Sequence, residues 1–293
     1  MTRRILAATD FSDPSLQALR EAHTRAASTG AKLAVCHVMA RHNDWHTLFP
    51  REDQVGDLEL EARVRGELER FASSVTGTAE VELFVEQGSD YAEIIRRAEA
   101  WSADLVVVGS QGRSSLPRLV LGSVAERVVR YAHCPVLVVR PSSHGQCVLV
   151  ATDLSDPSLP AVTAGVAEAS RLGQRLVVVH ALDLSESAWR AAVGNLLGAT
   201  SLVPPLEVQR DMREALTTML QQSIERLGAT GEVVVLDGTP AEAVVRYAEE
   251  VSAGLLVIGT HGRTGLARVA LGSVADRILR SAECSVLAVR LAS

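Results

Sequence analysis

The sequence repeats itself once. Residues 3–16 read RRILAATDFSDPSL and residues 146–159 read QCVLVATDLSDPSL, identical at nine of fourteen positions. Residues 103–140 and 253–290 align without a gap at 21 of 38 identical positions. The repeat distance of about 145 residues far exceeds the roughly 20–45-residue unit of a solenoid. It matches the size of a whole domain, and 293 residues divide into two domains of about 150 each. The breaker cluster Pro141-Ser142-Ser143-His144-Gly145 separates them. The expected domains are residues 1–141 and 146–293.

Composition narrows the class. Hydrophobic residues are 47% and charged residues 22%, the balance of an ordinary globular protein. Aromatics are only 3%, so the cores must come from Val, Leu, Ala and Ile. The net charge is −6 and no long basic block exists, which argues against a nucleic-acid-binding protein. No apolar run approaches the roughly 20 residues needed to span a membrane. The N-terminal stretch Ile5-Leu6-Ala7-Ala8 is too short for a secretory signal and runs into Thr9-Asp10, so a cytosolic protein is expected. Cys36, Cys134, Cys147 and Cys284 show no CxxC spacing and read as buried, reduced thiols.

Each half alternates short apolar runs with longer amphipathic stretches. Strands are expected at 4–8, 32–38, 80–85, 104–108 and 135–139, and again at 147–151, 175–180, 232–236, 254–258 and 285–289. Helical patterns fill 14–28, 57–74, 90–101 and 123–132. Runs such as Leu105-Val106-Val107-Val108 are continuously apolar rather than alternating, the mark of parallel strands covered on both faces. The fold class is therefore α/β, two doubly wound parallel-sheet domains. Ligands of such sheets bind at the carboxyl ends of the strands.

The residues at those ends carry the chemistry. The first strand of each half ends in Ala8-Thr9-Asp10 and Ala151-Thr152-Asp153. Ser12 or Asp13 is placed to cap the next helix, with Pro14 in its first turn. The fourth strand runs into Gly109-Ser110-Gln111-Gly112-Arg113, then Gly122-Ser123-Val124. Its copy is Gly259-Thr260-His261-Gly262-Arg263, then Gly272-Ser273-Val274. Glycine lets main-chain amides approach an anion, and Ser123 and Ser273 open helices whose N-termini favour phosphate. Arg113 and Arg263 add charge-assisted contacts. No GK[ST] and no G-x-G occurs, so P-loop catalysis and Rossmann hydride transfer lack their machinery.

With the strand-end Asp, the spacing G-x-x-G-x9-G-[ST] and the closing Cys134-Pro135-Val136-Leu137-Val138-Val139-Arg140, both halves resemble the universal stress protein family in its tandem form. The resemblance covers all but residues 40–56 and 184–206, and Ser285 replaces the proline in the second copy. It implies a five-stranded, Rossmann-like sheet of order 3-2-1-4-5, of the adenine nucleotide alpha hydrolase type, binding ATP, ADP or AMP with Mg2+. By that resemblance Asp10 and Asp153, following Ala8-Thr9 and Ala151-Thr152, hold ribose hydroxyls or a magnesium ion. Val38 and Ala181 lie against adenine. Gly109, Gly112, Gly122, Ser123 and Val124 cradle the phosphates, as do Gly259, Gly262, Gly272, Ser273 and Val274. Ser115 stands where the second half has Gly265, so the two loops are expected to differ.

Other features read as structural. His42, Asp44 and His46 fall short of the four ligands of a closed zinc site, and no metal site is expected. His37 and His180 occupy matching places near the end of the second strand and read as hydrogen-bonded structural histidines. No G-x-S-x-G marks a nucleophile, and no catalytic residue is expected. The insertions at 39–57 and 184–206 read as a lid, an interface or surface loops. The final strands, 135–139 and 285–289, would be apolar sheet edges. The resemblance implies that the two domains pair through them, and a homodimer is compatible. The expected function is a nucleotide-dependent regulatory module in stress response. The alternative is a slow ATPase or autokinase using His261, matched by Gln111, or a scaffold that has lost its ligand.

Overall fold

The structure is a computed structural model that describes residues 2–40, 54–112, 121–141, 145–185, 187–189, 203–260 and 271–290. The chain divides into two compact units, Met1–Pro141 and Ser142–Leu291. In the first, β1 (Arg4–Thr9), α1 (Asp13–Thr29), β2 (Lys32–Ala40), α2 (Gln54–Thr76) and β3 (Val81–Gly88) follow in chain order. They are succeeded by α3 (Asp90–Ala100), β4 (Leu105–Gly109), α4 (Ser123–Tyr131) and β5 (Val136–Val139). The sheet order is β3-β2-β1-β4-β5. All neighbours are parallel, with Leu6 opposite Ala34 and Val106, and Val107 opposite Leu137.

The second unit repeats this plan. It comprises β6 (Cys147–Ala151), a 3-10 turn over Asp156–Ser158, α5 (Leu159–Leu172), β7 (Arg175–Leu182) and α6 (Leu206–Glu225). Then come β8 (Glu232–Asp237), α7 (Pro240–Glu250), β9 (Leu255–Gly259), α8 (Ser273–Ser281) and β10 (Ser285–Val289). Within this unit the order is β8-β7-β6-β9-β10, again parallel. Each unit is thus doubly wound about its first strand, as the apolar runs predict.

Successive strand residues face opposite sides of a sheet. Ile5, Leu6 and Ala7 are nevertheless each no more than 1% exposed, so helices cover both faces. Aliphatics and alanine fill the core, as the scarcity of aromatics requires. The helix starts differ between copies. Ser12 caps α1, its hydroxyl accepting from the Ser15 amide at 3.4 Å. Ser155 makes no side-chain cap, and the copy opens with the 3-10 turn before α5 begins at Leu159.

Strand order places the site. The chain leaves β1 toward β2 on one side and, after β3, returns to β4 on the other. The ends of β1 and β4 therefore adjoin with a gap above them, the switch point where doubly wound sheets take ligands.

Candidate functional site

The tip of β1 is held in one strained turn. Phe11 adopts a left-handed φ of 64°, and Leu154 in the copy one of 60°. For side chains of this size such a conformation costs about 1–3 kcal/mol and persists only where surrounding contacts enforce it. Those contacts are the same in both units. The Phe11 amide donates to the Thr9 hydroxyl at 2.9 Å, and the Leu154 amide to Thr152 at 3.0 Å. Ser12 donates its amide and its hydroxyl to Asp10 Oδ1, as Ser155 does to Asp153 Oδ1. Thr9 in turn hydrogen-bonds Ser15 at 2.9 Å, and Thr152 bonds Ser158 at 2.7 Å. Each carboxylate is thereby fixed through one oxygen.

In the first unit the other oxygen of Asp10 faces Gly112. A Cβ on Gly112 would lie 2.7 Å from Asp10 Oδ2, too close to coexist with it. The lack of a side chain at Gly112 is thus a steric condition for the carboxylate's position. Gly109 has a different reason: a Cβ there would meet the backbone of Pro14 at 2.9 Å and Ser15 at 3.1 Å. It lets the start of α1 pack against β4. The expected cradling role also changes at Gly122, whose amide donates to the Ser110 carbonyl at 2.8 Å and is not offered to an anion. Gly272 donates to Thr260 likewise, at 2.9 Å. The open amides of α4 are those of Ser123, Val124 and Ala125, because the first turn of a helix has no carbonyls to bond. In α8 they belong to Ser273, Val274 and Ala275. Neither helix start has a side-chain cap.

These groups converge on a cleft of about 260 Å³ in the first unit. Ala8, Thr9 and Asp10 come to it from β1, and Val38 from β2. Gly109 and Gly112 come from the β4 end, and Gly122, Ser123 and Val124 from the start of α4. All the first-half candidates within the described residues therefore meet at one place. Arg113 lies outside the described residues. In the second unit Ala151 ends β6 and Thr152 and Asp153 follow it, Ala181 lies in β7, Gly259 ends β9, and Gly272, Ser273 and Val274 open α8. Gly262, Arg263, His261 and Gly265 lie outside the described residues, as do Ser115 and the pair His42 and His46 with Asp44. Most of the insertions at 39–57 and 184–206 are outside them as well. Among the described residues no three His, Cys, Asp or Glu side chains gather as a metal site.

Sequence reasoning missed Ser15, Val108, Ile94, Ala125 and Asp90 as lining residues, and weighed Gln111 only as a hydrolytic group. Asp90 and Ile94 belong to α3, which reaches the cleft because β3 lies two strands from β1. No local motif announces that placement.

His37 Nδ1 donates to the Thr9 carbonyl at 2.8 Å, and His180 Nδ1 to the Thr152 carbonyl at 2.9 Å, since a carbonyl can only accept. Both histidines brace the strand end, and the Phe11 ring lies 4.4 Å from that of His37. All four cysteines are buried and none forms a disulfide. Burial pushes Cys36 and Cys134 up to about 12 and raises Cys147, so none of these three is poised as a nucleophile.

The universal stress protein family matches this chain twice, over residues 1–140 and 146–290. The chain belongs to that family. A universal stress protein of Mycobacterium tuberculosis is 36% identical over 194 residues, covering 64% of this chain and 62% of the relative. The chain thus spans less than two thirds of that relative's length. One from Methanocaldococcus jannaschii is 33% identical over 143 residues, 49% of this chain and 81% of that protein. Among solved structures, a universal stress protein from Archaeoglobus fulgidus superposes with a TM-score of 0.66 at 20% identity, covering 98% of this chain and 96% of that one. That likeness shows the fold. Among the described residues no helix is long and apolar enough to cross a membrane.

Proposed function

We propose that each unit binds an adenine nucleotide, ATP or its ADP or AMP relatives, and that the chain acts in the cytosol as a nucleotide-dependent regulatory module of the stress response. One observation carries this reading. In the first cleft Asp10, a glycine whose lack of a side chain leaves room for that carboxylate, and three open amides of a helix start meet at the end of a parallel sheet. Open amides and the helix dipole favour polyanions. A fixed carboxylate beside a polyanion is repelled unless it accepts a hydroxyl hydrogen or shares a cation. A nucleotide supplies both partners, ribose hydroxyls and magnesium-bearing phosphates.

The residues present fit those groups. Val38 and Ile94 offer apolar surface to a base, Asp10 faces the ribose, and Ser123, Val124 and Ala125 face the phosphates. Mg2+ would be shared between Asp10 and phosphate oxygens, the usual arrangement for an ion bound by one or two carboxylates plus substrate. The matching turn of Asp153 and the open start of α8 support the same reading for the second unit. Regulation requires that the nucleotide bind two conformations unequally.

Mass spectrometry of ligand carried through purification tests this directly, followed by calorimetry on Asp10→Ala and Gly112→Ala. The added Cβ at position 112 displaces the carboxylate by about 1 Å, which breaks its hydrogen bond to the ligand, and a hydrogen bond to a charged group is worth about 1.5–3 kcal/mol, or roughly 10- to 100-fold in affinity. The expected result is a copurifying adenine nucleotide and first-site affinity reduced about 10- to 100-fold in both variants. Nucleotide-free protein that gives no heat with ATP or ADP would refute the reading.

A further inference from the structure

The lining of the first cleft is chemically mixed. The start of α4 and the end of β4 bring the open amides and Gly112, while β2 and α3, which pack together, bring Val38, Ile94 and Asp90. Asp90 is the first residue of α3, following Ser89, which makes no side-chain cap. Asp90 lines the cleft, is exposed, and has no hydrogen-bond or ion-pair partner among the described residues. Gly88-Ser89-Asp90 aligns with Gly238-Thr239-Pro240, so the second unit has a proline at this position. Of the two aligned positions, only the one in the first unit carries a carboxylate.

An ionised carboxylate accepts hydrogen bonds and donates none. Beside the apolar surface of Val38 and Ile94 it favours a ring whose edge presents an amino group. A ring with a carbonyl oxygen at the same position is repelled. We infer that Asp90 is a specificity-determining residue of the first site, accepting a hydrogen bond from the amino group of a 6-aminopurine and discriminating against 6-oxopurines. The second site lacks this discrimination. The inference rests on the nucleotide reading above.

An acidic residue in a first turn also favours the helix dipole. That role alters α3 equally whatever nucleotide is bound, so it cannot change a ratio of affinities. The test measures ATP and ITP, which differ in 6-amino against 6-oxo, by calorimetry on the full chain carrying Asp153→Ala to confine binding to the first site. A hydrogen bond to a charged group, partly screened by water, sets the scale. ATP is expected to bind about tenfold more tightly than ITP, and Asp90→Asn, whose amide can donate to a 6-oxo group, to bring the ratio near one. In the full chain carrying Asp10→Ala, Pro240→Asp is expected to raise the ratio at the second site. An ATP-to-ITP ratio unchanged by Asp90→Asn, with both nucleotides still bound, overturns the role of Asp90 and leaves the nucleotide reading standing. Absence of binding by either nucleotide overturns the nucleotide reading itself.

Discussion

Gly165 lies inside α5, buried, where alanine would ordinarily be the better residue by about 1 kcal/mol. The structure predicts the reverse. A Cβ at Gly165 would lie 2.1 Å from Cγ2 of Val150, a residue of β6 with 0% exposure. Carbon atoms in contact stand about 3.5–4.0 Å apart, so the shortfall is well over 1 Å. Val150 is fully buried, β-branched and stiff about χ1, so it turns aside only at a cost. Overpacking of this kind costs about 1–3 kcal/mol, and the severity of the overlap points to the upper end. Set against the gain in helix propensity, Gly165→Ala should destabilise by about 2 kcal/mol. The first unit contains the compensated form: Ala7 and Ala22 stand where the second has Val150 and Gly165, and both are buried. In a Val150→Ala background the same Gly165→Ala change should therefore stabilise by about 1 kcal/mol, giving a coupling of about 3 kcal/mol. Urea unfolding followed by circular dichroism on the four proteins of the cycle measures it, with the transition moved by Val150→Ala marking the second unit. Equal effects of Gly165→Ala in the two backgrounds, within about 0.5 kcal/mol, would refute the packing argument.

Two further outcomes are expected. Cys36 and Cys134 have thiols raised to about 12 by burial, so the unfolded chain ionises first as pH rises, binds fewer protons than the native state, and gains. Stability should be independent of these thiols below about pH 8.5 and fall above it by up to about 1.4 kcal/mol per pH unit per group. Cys36→Ala should flatten that alkaline slope, measured by urea unfolding from pH 8 to 10.5. Ser252 holds a left-handed φ of 49° just after α7, and Ser252→Gly should raise stability by about 0.5–1 kcal/mol, read as an upward shift in Tm. A lowered Tm would refute that account of the helix end.

The duplication, the alternation of strand and helix, and burial of strands on both faces were legible because they depend on local pattern. Ile5-Leu6-Ala7 and Val106-Val107-Val108 announce covered parallel strands, and the family resemblance carried their order. The strand-end aspartates and the glycine-rich segment before Ser123 were legible for the same reason, since turn chemistry and helix starts are written within a few residues of themselves. Their division of labour was not. Gly109 and Gly122 look alike in sequence. One makes room for the backbone of Pro14, and the other donates its amide to Ser110.

Sequence alone, then, determined that two like domains each bring a carboxylate and a helix start to the end of a parallel sheet. Only the tertiary structure decided what else stands around them. Asp90 enters the first cleft because β3 pairs outside β2, so that α3 must cross back over the sheet on its way to β4. Gly165 is required because of a methyl group fifteen residues earlier on another element. Both depend on packing between segments that no local pattern brings together, and there the two copies of one sequence plan diverge.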